Sequence, residues 1–286
     1  MSNARQSESE SQRPRRRPRR GATSLDGVLA VDKPAKMTSH DVVDRVRRIS
    51  GEGRVGHAGT LDPMATGLLL VCVGPACRRF ATLAGARKSY EARIIFGTAT
   101  QSDDAEGERI ATAAVPEKVG EPSFARELLS RFEGEQEQIP PQVSAIKTDG
   151  VAAYRRVRRG ETVAVKPRRV TIYALELLGM GVVEAARVAG VAGADESADA
   201  GSGAHDARWW DIAAEVSKGT YIRSLARDLG EACGTRAHLG ALRRTRIGTV
   251  GIELAYTLEA LEGAKGISSC FLPASLLEPL RIEVEA

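Results

Sequence analysis

Apolar positions along this chain follow two different periods. "GVLAV" at 27–31 reads as a short apolar strand, and "GLLLVCV" at 67–73 has the continuous apolar look of a buried one. Between them, Val42, Val43, Val46 and Ile49 recur at helical spacing behind Ser39, the expected N-cap, and "SGEGR" closes that helix through glycine. "KSYEARIIFGTAT" at 88–100, "VTIYALELLG" at 170–179 and "WWDIAAEVS" at 209–217 read as further strands, the first running into the acidic loop "QSDDAEGE". Residues 122–132 look helical, and "TYIRSLARDLGEACG" does too by the spacing of Ile222, Leu225, Ala226 and Leu229. Strands and helices do not alternate regularly, which predicts a mixed α+β domain rather than a doubly wound one.

The length of 286 residues allows one large domain with an appendage, or two domains. The apolar runs are too short to span a bilayer, so no membrane contact is expected. No apolar stretch of signal-peptide type follows the basic N-terminus, and Glu8 and Glu10 speak against a transit peptide. Cys72, Cys77, Cys233 and Cys270 have no Cys-x-x-Cys spacing, so a reduced, cytoplasmic protein without a metal is the expectation.

Charge changes the picture more than composition does. Seven arginines against two glutamates give residues 1–20 a charge of +5, leaving −1 for the rest of a chain whose total is +4. "RPRRRPRR" is a solvated arm, suited to non-specific nucleic-acid contact or simply to solubility. Residues 1–24 are therefore set apart as a disordered basic arm, and the Ala- and Gly-rich stretch within 181–208 as a surface insertion. In the body, "YRRVRRGETVAVKPRR" at 154–169 and "LRRTR" at 242–246 are basic clusters that phosphates would need, although each alone could be an ordinary solvated face.

The candidate chemistry centres on "RVGHAGTLDPMATG" at 54–67. Asp62 is its only acid and precedes Pro63, which drives the Asp62 backbone out of the α region. A carboxylate on so stiff a bend suits a nucleophile or a base, and it equally suits an Asx-turn. In "SKGTYIRSLARDLG", Tyr221 and Arg223 are two residues apart, where an extended backbone would aim both side chains the same way, and an Arg beside an acid keeps it ionised. Tyr90, at the head of a strand beside basic residues, fits a base-stacking platform or a half-buried strand position. No Walker A loop, HExxH, dinucleotide fingerprint or Gly-x-Ser-x-Gly is present.

Taken together, "DKPAKMTSHDVV", "GRVGHAGTLDPMATGLLLVCVG", "KSYEA", "QIPPQVSAIKTDGVAAYRRVRRGE", "SKGTYIRSLARDLG" and "LRRTRIG" resemble, in order, the bacterial tRNA pseudouridine synthase B (TruB) family over residues 25–250. The resemblance implies a pseudouridine-synthase fold, with a central mixed, mostly antiparallel sheet flanked by helices. It implies isomerisation of uridine 55 in the T-loop of tRNA, without a cofactor, on a base flipped out of its stack. Asp62 would be the catalytic acid, attacking C1′ or C6 or removing a sugar proton. Tyr90 would lie against the extracted base, Tyr221 would contact it from the neighbouring wall, and Arg223 would pair with Asp62. His57 would fill the space vacated in the T-loop, Leu242 would line the substrate, and Lys33 would support the site. The partner would be the tRNA T-arm, with the chain a monomer that needs no obligate protein partner. A non-catalytic RNA-folding protein on the same scaffold is the alternative, and a guide-RNA-dependent synthase is a second one. Many members carry a C-terminal RNA-binding domain. Residues 251–286 are short for one and read as two helical pieces, "TLEALEG" and "LPASLLEPL", with a final "RIEVEA" strand.

Overall fold

The computed structural model describes residues 24–142, 147–148, 151–152, 166–182 and 207–278. The expectations for most of the basic arm, for the cluster at 154–165, for most of the 181–208 insertion and for a terminal "RIEVEA" strand lie outside the described residues.

In chain order the elements begin with β1 (Gly27–Lys33), α1 (Ser39–Ser50), β2 (Val55–Ala58), β3 (Thr66–Val73), α2 (Phe80–Gly85) and β4 (Lys88–Phe96). They continue with β5 (Thr98–Thr100), β6 (Arg109–Thr112), α3 (Pro122–Arg131), β7 (Gly134–Gln138), β8 (Lys147–Thr148) and β9 (Val151–Ala152). β10 (Arg168–Val182), β11 (Arg208–Val216), α4 (Ile222–Ala232), β12 (Ala237–Ile247), β13 (Val250–Gly251), α5 (Leu258–Gly263) and α6 (Ala274–Leu277) complete the set.

Among the described residues, nine strands form one sheet along the path β1-β3-β12-β4-β11-β10-β7, with β2 on β3 and β13 on β12. Its pairings are antiparallel except the short parallel contact of β12 with β3, through Arg243 and Arg244 opposite Thr66 and Gly67. The fold is the α+β architecture expected. β5 with β6, and β8 with β9, form two separate ribbons.

The two strand patterns have one physical cause. Leu68 to Val73 in β3 are all buried because both faces of that strand are covered. Leu69, Val71 and Val73 pack with Val42, Val43 and Val46 of α1 and with Leu258 and Leu261 of α5, while Leu68, Leu70 and Cys72 face Leu83 and Ile247. In β4 and β11 burial alternates instead: Tyr90, Ala92, Ile94, Ile212 and Ala214 form the face that packs on α3 and α4, through Leu128, Leu225 and Leu229. The C-terminal residues are tied in as well, Tyr256 N–H donating to Ala30 O and Leu272 N–H to Val28 O.

Four details differ from the sequence expectation. The N-cap of α1 is Thr38, not Ser39: Thr38 is extended and shares a reciprocal capping box with Asp41, whereas Ser39 is already helical and buried. The run 88–100 is two strands, because Gly97 adopts φ 101° and turns the chain from the large sheet into the ribbon. The insertion is shorter than 181–208, since β10 extends to Val182 and β11 begins at Arg208. Finally, "LRRTR" lies inside β12, where alternation buries Leu242 and Arg244, and an irregularity in the pairing with β4 between Arg244 and Arg246 breaks that alternation and leaves Arg246 exposed.

Candidate active site

Asp62 sits on a bend clamped from three sides. Ser39 Oγ accepts from Leu61 N–H at 2.9 Å and donates to Leu61 O at 3.0 Å, fixing the residue before the acid. Lys33, fully buried, donates from Nζ to Pro34 O, Met37 O and Pro63 O at 2.8, 2.7 and 3.2 Å, fixing the residue after it. Arg244, also buried, donates from Nε to Leu68 O at 2.7 Å and from Nη2 to Gly59 O at 3.1 Å. Its backbone explains the glycine opposite it: a Cβ on Gly67, at φ +99°, would lie 2.3 Å from Arg244 O.

The carboxylate itself meets Arg223. Arg223 Nε lies 3.0 Å from Asp62 Oδ2, and Nη2 donates to Asp62 Oδ1 at 3.2 Å. On its other side the guanidinium donates from Nη1 to Ser102 O at 2.9 Å and lies 3.5 Å from Asp104 Oδ2. Arg223 and Asp104 are buried, while the Asp62 side chain keeps 33% of its surface open. One cation thus sits between two carboxylates, of which only Asp62 can be reached. Burial pushes the Asp62 carboxyl above the usual range, with Asp104 acting in the same direction and Arg223 against it. Burial lowers the Lys33 ammonium from 10.5 to about 8.

The other predicted residues fall into two groups. Tyr90 and Leu242, both buried, share one apolar cluster with Leu61, the neighbour of Asp62. Tyr221 stands at the N-cap of α4, and burial raises its phenol, with Arg168, Arg223 and Asp62 all close enough to act on it. His57 lies on β2, half-buried and held towards its neutral form first by burial and then by Arg244 and His40. The expected extended run from Tyr221 to Arg223 is not formed. Tyr221 is extended and α4 starts at Ile222, so Arg223 reaches Asp62 from the first turn of a helix.

Not every cation of the predicted clusters faces solvent. Arg244 spends its guanidinium on carbonyls, and Arg243 pairs with Asp32 at 2.8 Å, leaving Lys166, Arg168, Arg169 and Arg246 as the exposed members among the described residues. A cavity of about 610 Å³ is lined by Lys33, Glu91, Arg93, Asp211, Leu242 and Arg243, and so meets two of the predicted site residues but includes neither Asp62 nor Tyr90. Four of its charges are closed into the Arg93–Asp211 and Arg243–Asp32 pairs. Among the described residues no group of three or more His, Cys, Asp or Glu side chains is placed to hold a metal ion, and no helix is long and apolar enough to cross a membrane.

Residues 47–189 match the profile of the "TruB family pseudouridylate synthase (N terminal domain)", and residues 223–280 match the "tRNA pseudouridylate synthase B C-terminal domain". The tRNA pseudouridine synthase B of Thermobifida fusca (strain YX) is 47% identical over 238 residues, 82% of this chain and 74% of the relative. The chain belongs to the TruB family. A second relative, the tRNA pseudouridine synthase B of Bordetella avium (strain 197N), is 40% identical over 91% of this chain and 98% of its own length. The TruB assignment makes this chain an isomerase of the pseudouridine-synthase type, with RNA as substrate.

Solved structures share the fold. A chain in an H/ACA RNP bound to a substrate RNA containing 2′-deoxyuridine superposes with a TM-score of 0.59 at 25% identity. A chain of a Cbf5–Nop10–Gar1 complex does so with 0.59 at 26%. This TruB family chain covers 61% and 62% of those two, about three fifths of their length.

Sequence reasoning missed Ser39 as a clamp, Arg244 as a buried fork, and Asp104. The acidic loop carried a signal for Asp104: Ser102 and Asp104 are spaced for a local side-chain turn. Asp104 Oδ1 accepts from Ser102 Oγ at 2.5 Å and from Glu106 N–H at 3.1 Å.

Proposed function

We propose that this chain converts uridine 55 of the tRNA T-loop to pseudouridine, with Asp62 as the essential acid, and that it does so as a monomer without an obligate protein partner. One observation carries the reading: Arg223 grips both oxygens of Asp62 and leaves that carboxylate as the reachable member of a buried Asp–Arg–Asp group. The isomerisation breaks the bond from C1′ to N1 and forms one from C1′ to C5. C5 loses a proton and N1 gains one, so the sums of atoms and electrons are unchanged.

A single ionised carboxylate of fixed direction is what such a step asks of the protein. The clamps on Leu61 O, Pro63 O and Gly59 O hold the bend in place, so little reorganisation is left for the moment of reaction. Everting the base costs a few kcal/mol of unstacking. Tyr90 against the base returns about 1–3 kcal/mol, and cations such as Arg168 and Arg169 engage phosphates.

The test is tritium release from tRNA carrying 5-tritiated uridine, and from a T-arm hairpin, using the purified chain. Turnover with wild type, a fall below about one-thousandth with Asp62→Asn, and tRNA affinity kept within about threefold is the expected result. Undiminished turnover by Asp62→Asn removes the proposal, and turnover that needs an added protein removes its stand-alone part.

A further inference from the structure

Strand β7 has the burial pattern of a solvent-facing edge, with a single buried residue at its end, and that residue is polar: Gln138, 3% exposed. A side-chain amide in a core position is unfavourable unless its atoms are satisfied. Here the backbone of one residue satisfies both ends. Tyr221 N–H donates to Gln138 Oε1 at 2.8 Å, and Gln138 Nε2 donates to Tyr221 O at 3.1 Å. The amide pairs with the backbone of Tyr221 as a neighbouring strand would.

Tyr221 is where the chain changes direction. It is extended at φ −104° and ψ 113°, α4 begins at the next residue, and no side chain of its own caps the helix. Tyr221 O also accepts the first helical bond, from Leu225 N–H. Gln138 therefore fixes the start of α4, and with it the Cα of Arg223, the second residue of the helix. The contact continues through Ile139 O, which accepts from Ser224 Oγ and from Arg227 Nη2, both at 2.8 Å. Arg223 is thus held at both ends: its guanidinium by Ser102 O and Asp104, its backbone by Gln138.

We propose that Gln138 is a positioning residue for the isomerisation, setting the backbone from which Tyr221 and Arg223 address Asp62. The inference rests on the reading of Asp62 as the reacting acid. The Gln138 amide bonds to Tyr221 and not to Asp62; Arg168 stands opposite Gln138 in the β7–β10 pairing, a backbone relation that side-chain replacement keeps, so the effect of the amide falls on the rate of the bound complex and not on affinity. A displacement of about 1 Å at such a site can cost about a hundredfold in rate.

The experiment compares Gln138→Met, of similar length without hydrogen bonding, and Gln138→Glu, which keeps the acceptor for Tyr221 N–H and loses the donor to Tyr221 O. Gln136→Met is the control: it removes a hydrogen bond of the same kind, to Phe132 O at 3.1 Å, from the same strand and away from α4. Single-turnover tritium release, tRNA dissociation constants and melting temperatures are measured for each. The expected result is a loss of about 10- to 100-fold in single-turnover rate for Gln138→Met and a smaller loss for Gln138→Glu. Affinity should stay within about threefold, and Gln136→Met should react like wild type.

A rate for Gln138→Met near that of wild type overturns the inference. So does a loss confined to affinity, or an equal loss of rate in Gln136→Met, which would mark general destabilisation. If Gln138→Met does not fold, the same criteria apply to Gln138→Glu. Asp62→Asn run alongside separates the two claims. Turnover lost there but intact in the Gln138 variants overturns this inference alone, whereas turnover intact throughout overturns the reading beneath it.

Discussion

Arg223 lies between Asp62 and Asp104, 3.0 Å from an oxygen of the first and 3.5 Å from an oxygen of the second. The two carboxylates differ in one respect: Asp104 is buried, and Asp62 is open on one side. Burial raises the Asp62 carboxyl, Arg223 lowers it and Asp104 raises it, so the proposed reactive acid is tuned in part by a neighbour that is itself buried.

The acid limb of turnover follows. Burial pushes the Asp62 carboxyl above the ordinary aspartate range, so single-turnover rate should fall on acidification with a midpoint above that of an ordinary aspartate. Asp104→Asn removes a nearby negative charge, and the limb should move to lower pH. The rate at neutral pH should also fall about tenfold, as Arg223 loses part of its anchor. A pH–rate profile of both proteins checks the sign of that displacement.

Lys33 makes stability depend on pH at the alkaline end. Its folded-state value of about 8 lies below the 10.5 of the unfolded chain, so the folded state binds the proton less tightly. The charged ammonium therefore lowers stability below about 8, and the loss is relieved as pH rises towards 10.5. Relative to Lys33→Met, wild type should gain about 3 kcal/mol across that window. Urea midpoints at pH 7.5 and 10 measure it, and a flat difference would refute it.

Arg244→Lys should be far from conservative. The guanidinium reaches Leu68 O and Gly59 O from separate nitrogens, and an ammonium cannot reproduce that fork. Leaving buried carbonyls without donors should cost about 1–3 kcal/mol each. Turnover should fall as well, because Gly59 O belongs to the bend that carries Asp62. Denaturant melts combined with tritium release separate the two effects.

Gly67→Ala tests the crossing of β3 with β12. The added methyl would meet Arg244 O at 2.3 Å on a backbone at φ +99°, so both contact and conformation oppose it. A loss of about 2–4 kcal/mol is expected. Gly51→Ala is the comparison: it shares a positive φ, 68°, with no atom within 4 Å of the added methyl, and should cost about 1 kcal/mol.

Local order was readable in the chain itself. The unbroken run at 67–73 announced a strand covered on both faces, Val42 to Ile49 announced a helix, and Gly51 its end at φ 68°. Such signals depend on neighbours within a turn or a pleat. Asp62 stood out for the same reason, because proline acts on the residue before it. The cap at Thr38 was one residue off, because Ser39 had the right side chain but a distant employer, Leu61.

The chain by itself determined β1, β3, β10, β11, the helices α1, α3 and α4, and the bend that carries Asp62, since these follow from side-chain periodicity and from backbone limits at proline and glycine; β12, between β3 and β4, emerged only with the sheet. Tertiary structure alone decided that Arg223 would bridge two acids, that Arg244 would be buried on carbonyls, and that Gln138 would grip Tyr221. These partners lie 83 to 185 positions apart in sequence. A charged or amide side chain reads as surface until the fold brings it the partners that make its burial affordable.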